Sequence, residues 1–451
     1  MSKLLSNAAV LGNFIAGTAQ RTLPDEVLNA ARLCFSDWLA VAIGAGDEAA
    51  GKIVRKQMAA MRSSGRSSVL YGGSAAAALA ALANGTLAHC LDFDDTYIIG
   101  NTHTSAPVWA ATLALGEEIR ADEATMLAAF VTGFEVAAQV GRGIGQGVTA
   151  RGLHATGIFG RIGAAAAAAT LLGLDAQRSA HALAAAATQS SGLTASFGSM
   201  AKPFHAGKAA MDGVLSAQLA AEGFEAAPDV LEPGGGLDRA IIQDGSLRLA
   251  TSTFERWEIL HNSFKPYAAC HLTHPAIDAA RALSLSNDRA IDPTQIRAAR
   301  VRVSELAQQI TGLTQGEPAT PLAAKFDLRY CTALGLHGHD VSAADFPSPW
   351  TVDAYIAATA AIVESTPDAS VDFAAAHLEV EMIDGRIEAI DIEVAKGHPG
   401  NPIDWTDMRN KFDGLVDGRI GAQGDQLFST LRNFGAAGGL HHLKDVVGTL
   451  A

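Results

Sequence analysis

The sequence predicts a mainly α-helical protein: a large all-helical domain built from both ends of the chain, with a smaller inserted α/β (α+β) lid domain between them. Three observations predict it. From residue 4 to about residue 222, alanine and leucine recur at helical spacing, with Gly, Pro or Asn between the runs. After roughly residue 270, β-branched residues alternate with polar ones, as in IRAARVRVSE (296–305). From residue 404 the helical spacing returns. These changes place the first part of the helical domain at 1–268, the lid at 269–397 and the C-terminal part at 398–451.

The elements follow in order. The apolar spacing over residues 4–15, interrupted by Ser6, Asn7 and Asn13, fits an amphipathic helix at least as well as a leader and is read as the first helix. LPDEVLNAARLCFSDWLAVAIG (23–44) carries Pro24 and Asp25 where a helix starts, because first-turn N–H groups are unpaired and favour an acid. SAAAALAALANGTLAHC (74–90) and SAHALAAAATQSSGLTAS (179–196) have little polar face, so other helices surround them closely. In the lid, AHLEVEMIDGRIEAIDIEV reads as two strands around a tight turn at Asp384-Gly385-Arg386. Helices are expected at 274–283 and 351–364, then at 404–416, at 427–435 and at the C-terminus. A cleft between the two domains is the default place for a site.

Composition narrows the function. Of 451 residues, 49% are hydrophobic and 18% charged, a lean surface that implies subunit contact. The net charge is −14 and the basic residues are dispersed, so no nucleic-acid footprint is expected. Cys34, Cys90, Cys270 and Cys331 form no CxxC pair, which argues against a disulfide framework or a thiolate zinc site. No uninterrupted apolar run reads as a membrane span, and the expected compartment is cytoplasmic. The glycines of VAIGAGDEA (41–49) and GRGIGQG (141–147) follow helical rather than strand sequence, so neither is read as a nucleotide loop.

HCLDFDDTYIIGNTH (89–103) sets Asp92, Asp94 and Asp95 between His89 and His103. One aspartate is explained as a helix cap; three together suit acid/base work, because close like charges shift one another's pKa. A divalent cation held by His89, Asp92, Asp94 and His103 is the rival reading, without a recognised ligand spacing to support it. His154 precedes an alanine-rich helix whose free N–H groups favour a carboxylate. GSMAKPFHAGKAA (198–210) offers Lys202, His205 and Lys208. Lys202, amid apolar residues, suits anion binding or proton transfer, whereas Lys208 is read as a surface charge. HNSFKPYAACHLTHP (261–275) adds Lys265, Tyr267, His271 and His274, and KFDLRYC (325–331) adds Arg329 and Tyr330. Such groups fit a small polycarboxylate and proton abstraction beside a carboxylate, with epimerisation, water loss or carbon dioxide loss as possible endings. A carboxylate-binding scaffold without activity is the non-enzymatic alternative.

These blocks, HCLDFDDT with the following TH, GLHATGIFGRIGAAAAAA, MAKPFHAGKAA, KPYAACHLTH and KFDLRYC, resemble those of the MmgE/PrpD family. The resemblance implies a homodimer, no metal and no organic cofactor, and no membrane or nucleic-acid partner. It implies Asp92, His103, His154 and Lys202 as catalytic residues and Thr96, Lys265, His271, His274 and Tyr330 as substrate-binding ones. YIIGNT between Thr96 and His103, and Thr104 where many members have proline, depart from the pattern. With that departure the chain is most similar to members that epimerise iminodisuccinate. The expected activity is therefore an isomerase, with a methylcitrate dehydratase-like or cis-aconitate decarboxylase-like lyase as the alternative.

Overall fold

The computed structural model describes residues 6–243, 254, 256–286, 290–313, 316–347, 349–436 and 438–450. The chain divides into two compact units, residues 1–263 with 408–451, and residues 264–407. The fold is mainly helical, with a small sheet in the inserted unit.

The first unit holds α1 (Asn7–Ala16), α2 (Asp25–Gly44), α3 (Ala49–Ala60), α4 (Ala77–Ala88), α5 (Ser105–Ile119), α6 (Glu123–Ala150), α7 (Ala155–Leu171), α8 (Ala176–Ala187) and α9 (Ala201–Ala221), with a short hairpin of β1 (Ser67–Val69) and β2 (Gly73–Ala75). Local chemistry sets the starts. Pro24 occupies the N-cap position of α2 in extended backbone, and Asp25 and Glu26 lie in the first turn. Asp122 accepts from Thr125 N at 2.7 Å to cap α6, and Asp175 accepts from Arg178 N at 2.8 Å to cap α8.

The alanine-rich helices are buried because small side chains let backbones approach. A Cβ on Gly133 in α6 would stand 2.6 Å from Gly163 O in α7. On Gly207 in α9 it would stand 2.2 Å from Leu82 O in α4. The second approach draws the start of α9 against the end of α4, where His89 lies. Aromatic rings fill the deeper space: Phe35 stacks on Trp109 at 4.1 Å, and Trp109 on Phe130 at 4.3 Å. Asp25–Asp47 and Glu123–Arg142 are long and apolar enough to cross a membrane by length and composition, though charged residues interrupt both. Their windows are 72% and 83% buried inside the fold, so they are accounted for as core helices. GRGIGQG lies within α6, where no phosphate loop can form.

The inserted unit contains β3 (Ile296–Val303), β4 (Val363–Pro367), β5 (Ala376–Met382) and β6 (Ile387–Ile392), in the order β4-β3-β5-β6. β3 is parallel to β4 and antiparallel to β5, with Val301 opposite both Ser365 and Leu378. Gly385, at φ 86°, turns the hairpin between β5 and β6. The helices are α10 (His274–Ser284), α11 (Glu305–Thr311), α12 (Pro321–Lys325), α13 (Leu328–Leu336) and α14 (Ala354–Ala361). Val301, Leu378, Val380 and Met382 form one core with Ala276, Ala280 and Leu283 of α10. The helix expected over 351–364 is shorter: α14 ends at Ala361 and Val363 enters the sheet. Its β-branched side chain is buried in the same core, and that burial decides the switch.

α15 (Trp405–Ile420), α16 (Gly424–Arg432) and α17 (Gly439–Val447) complete the helices. The chain ends meet in the first unit: Arg32 Nε donates to Phe434 O at 2.7 Å, and Phe35 meets Phe434 edge-on at 4.7 Å.

Candidate active site

α4 ends at Ala88, and the segment to the start of α5 carries the acidic block. Asp92 holds a positive φ of 53°, a strained geometry for a side chain with a Cβ. Thr96 is bridged to Ser263 and Tyr97 to Thr102, which fixes the following turn and returns His103 toward the aspartates.

The result is a chain of paired charges. Lys202 Nζ donates to Asp92 Oδ1 at 2.5 Å. His103 Nε2 is 3.7 Å from the same oxygen, and its Nδ1 is 3.2 Å from Asp94 Oδ2. His89 Nδ1 lies 2.8 Å from Asp94 Oδ2. Thr96 Oγ1 is 3.5 Å from His103 Nδ1, and Thr156 Oγ1 accepts from His103 N at 3.0 Å. His89 and Asp94 are sealed, whereas Asp92, His103 and Lys202 keep 12%, 13% and 15% side-chain exposure. The exposed members are the ones a ligand can reach.

Environment sets the protonation states. Burial, outweighing the Asp94 carboxylate, pushes His89 down to about 4, so its neutral ring donates from Nδ1–H to Asp94. Burial alone would raise Asp94, but His89 and then His103 hold it well below the usual carboxylate range. His154, the N-cap of α7, is driven down by burial and then by His89, Lys202, His103 and His205, which leaves its ring neutral. It stacks at 5.7 Å on His89, meets Phe197 edge-on, and brings its Nδ1 within 3.1 Å of His205 Nδ1. Lys202 lies over the Phe197 ring at 5.3 Å.

The structure therefore brings Asp92, Thr96, His103, His154 and Lys202 into the first unit, interlinked by these contacts. Lys265, His271, His274 and Tyr330 belong to the inserted unit. There, Lys265 and His274 are buried, and His274 Nε2 is 3.2 Å from Ala269 O. His271 and His274 stack at 4.8 Å. Tyr330 is raised to about 12 by burial and lines a cavity of about 240 Å³ with Asp327 and Arg329. Lys208 departs from its reading as a surface charge: it is half-buried and pairs with Asp212, a buried carboxylate that also holds Arg161.

His89, Asp92, Asp94 and His103 offer donor atoms that all lie within 4.8 Å of one another, a spacing that suits a small cation. Those atoms are also joined to one another and to Lys202, so a cation would have to displace the ammonium or a ring from its carboxylate.

Sequence reasoning missed the layer behind the block. Lys411 of α15 donates to Asp37 Oδ1 at 2.5 Å and to Phe93 O at 2.6 Å. Asp37 Oδ2 accepts from Asp95 N at 2.9 Å, and Asp95 Oδ2 accepts from Asn262 Nδ2 at 2.8 Å and from Ser105 Oγ. Burial, then the Asp37 charge, pushes Asp95 up to about 7. A signal existed: Lys411 falls on the Met408, Phe412, Leu415 face of its helix, and Asp37 interrupts an apolar run.

Two family models match this sequence, the MmgE/PrpD N-terminal domain over residues 9–250 and the MmgE/PrpD C-terminal domain over residues 267–433. A cis-aconitate decarboxylase of Aspergillus terreus (strain NIH 2624 / FGSC A1156) is 26% identical over 348 residues, covering 73% of this chain and 71% of that protein. The cis-aconitate decarboxylase of Mus musculus is 26% identical over 420 residues, covering 88% and 84%. That of Homo sapiens is 31% identical over 227 residues, covering 48% and 46%. These relatives correct the expectation of an isomerase acting on iminodisuccinate: the similarity runs to decarboxylases.

Proposed function

The chain belongs to the MmgE/PrpD family, and from that premise we propose that it is a lyase releasing carbon dioxide from an unsaturated tricarboxylate of the cis-aconitate type. The observation that carries this reading is the half-open run Lys202–Asp92–His103–Asp94, in which an ammonium and an imidazole are held by carboxylates at the solvent-reachable edge of a buried cluster. In the reaction the C–C bond to the allylic carboxylate breaks and its electron pair forms a methylidene double bond. One proton is added to the former vinylic carbon for each carbon dioxide released. Lys202 neutralises substrate carboxylate charge, His103 delivers the proton, and Asp92 and Asp94 orient them. Neutral His154 at the start of α7 binds a carboxylate, and Thr96 adds a hydroxyl. Carboxylate binding by Lys265, His271, His274 and Tyr330 follows from the family resemblance alone and is read from the KM of their alanine variants. No metal or organic cofactor enters this scheme.

The resemblance also implies a homodimer. Met200, Phe204, Met211, Leu215 and Leu219 run along one face of α9, and all but Met211 are large exposed hydrophobics. This stripe supports pairing with a second copy of the chain.

The test is proton NMR of the purified protein with cis-aconitate and, separately, citrate and 2-methylcitrate, with and without EDTA. Two geminal vinyl signals from cis-aconitate, with carbon dioxide release unaffected by EDTA, are expected. Alkene signals only from the hydroxy-tricarboxylates would make the enzyme a dehydratase. Loss of activity in EDTA would assign a cation to the His89, Asp92, Asp94, His103 set. Inert tricarboxylates would sink the proposal.

A further inference from the structure

His205 is absent from the assignments above, yet it makes the one polar side-chain contact recorded for His154 among the described residues. The two Nδ1 atoms stand 3.1 Å apart. At that separation one nitrogen carries the proton and the other the lone pair, since two N–H groups would clash and two lone pairs repel. The pair is held rigidly. His154 N donates to Gly192 O at 2.9 Å. Gly192, at φ 122°, passes so close that a Cβ there would stand 3.2 Å from His205 Nδ1 and 3.4 Å from His154 Cβ. A Cβ on Gly157, in the first turn of α7, would meet Ser191 O at 2.6 Å, so the same segment also lies against that helix.

Neither ring of the pair is charged. Burial and then the Arg161 guanidinium lower His205, while burial and the surrounding His89, Lys202 and His103 lower His154. The contact is therefore between two neutral imidazoles, and the tautomer of one dictates that of the other. His154 is 4% exposed, so a lone pair on its Nε2 would repel an incoming carboxylate with little water to screen it, whereas Nε2–H would bind it. His205 is half-buried and reaches water, so it adopts either tautomer at small cost.

We propose that His205 is a positioning residue: its Nδ1–H donates to His154 Nδ1 and fixes His154 as the Nε2–H donor of the site. The direction of the donor rests on the carboxylate-binding reading above, but the tautomers can be read without any turnover.

The full-length protein, labelled with 15N-histidine, would be studied by long-range 1H–15N correlation, with His154→Gln identifying the His154 signals. The wild type is expected to show His154 Nε2 in the protonated range and Nδ1 in the hydrogen-bonded lone-pair range. His205→Asn places an amide N–H near the lost Nδ1–H and should keep that pattern. His205→Ala should give a mixture of tautomers. With cis-aconitate, His205→Ala should raise KM at least about tenfold with a smaller change in kcat, and His205→Asn should restore most of it, because a wrongly set tautomer removes a donor that holds the substrate carboxylate in the ground state and the transition state alike. A wild-type His154 protonated on Nδ1, or a tautomer unchanged in His205→Ala at an unaltered melting midpoint, would overturn the proposal. Equal loss in the Asn and Ala variants would do so too. If cis-aconitate is inert, the functional reading fails while the spectra still decide the role of His205.

Discussion

Replacing Lys411 by methionine probes how the C-terminal helices support the acidic block. The Lys411 and Asp37 side chains are 3% and 1% exposed, and the ammonium serves both the Asp37 carboxylate and Phe93 O. Burial pushes Asp37 up and Lys411 down, so each is costly to keep charged without the other. Methionine fills similar volume but leaves Asp37 beside Asp94 and Asp95 without its cation. Removing one partner of a buried pair costs about 3–5 kcal/mol. In a unit of roughly 300 residues, with about 2.1 cal/mol/K of unfolding entropy per residue, that corresponds to roughly 5–8 °C in the melting midpoint. The loss should grow with pH: unpaired Asp37 is tolerated protonated, and that stability disappears as pH rises through its raised folded pKa. Intrinsic fluorescence of Trp38 and Trp109, both fully buried in this unit, gives the assay. Adding Asp37→Asn should recover a large part of the loss. A Lys411→Met midpoint within about 1 °C of the parent, or singles that simply add in the double variant, would refute the reasoning.

Lys202→Ala should reduce kcat/KM for cis-aconitate at least about a hundredfold while the melting midpoint moves little, since the freed Asp92 reaches water; full activity would remove Lys202 from the mechanism. Glu135, raised to about 8 by burial although Glu258 N and Ile259 N donate to it, holds a proton that the unfolded chain releases near 4.5. Its contribution is full below about 4.5 and lost as pH rises through about 8, so Glu135→Gln should flatten the fall in melting midpoint over that window; an unchanged slope would count against it. Leu219→Asp should shift the species seen by light scattering from dimer to monomer, and a dimer that persists would move the interface off α9.

The helices were legible because their signals are local. The Ala/Leu spacing, Pro24 with Asp25, and the small-residue runs each act within one or two turns, and the structure places helices over most of them, although Ser74 and Ala75 join β2 and the run from 179 leaves the helix after Ala187. The Asp384-Gly385-Arg386 turn was legible for the same reason, since Gly385 supplies the positive φ. Val363–Pro367 was not, because the choice between helix and strand there depends on β3, sixty residues earlier in the sequence.

The site divides along the same line. Sequence alone marked Asp92, Asp94, His103, His154 and Lys202, because acids, imidazoles and a lysine stand out in an alanine-rich chain. Spacing carries no information on which acid meets which base. That Asp92 takes Lys202 goes with the close approach of α9 to α4 at Gly207, that Asp94 is sealed between His89 and His103 goes with the turn closed by Tyr97 and Thr102, and that His205 reaches His154 goes with the Ser191–Gly192 segment packed against both. The Asp37–Lys411 support joins residues 374 positions apart. Composition and periodicity determined what kinds of groups this protein has and which segments are helical; only the packed helices decided the pairings, because burial turns distant charges into partners whose separation would leave one of them desolvated and alone.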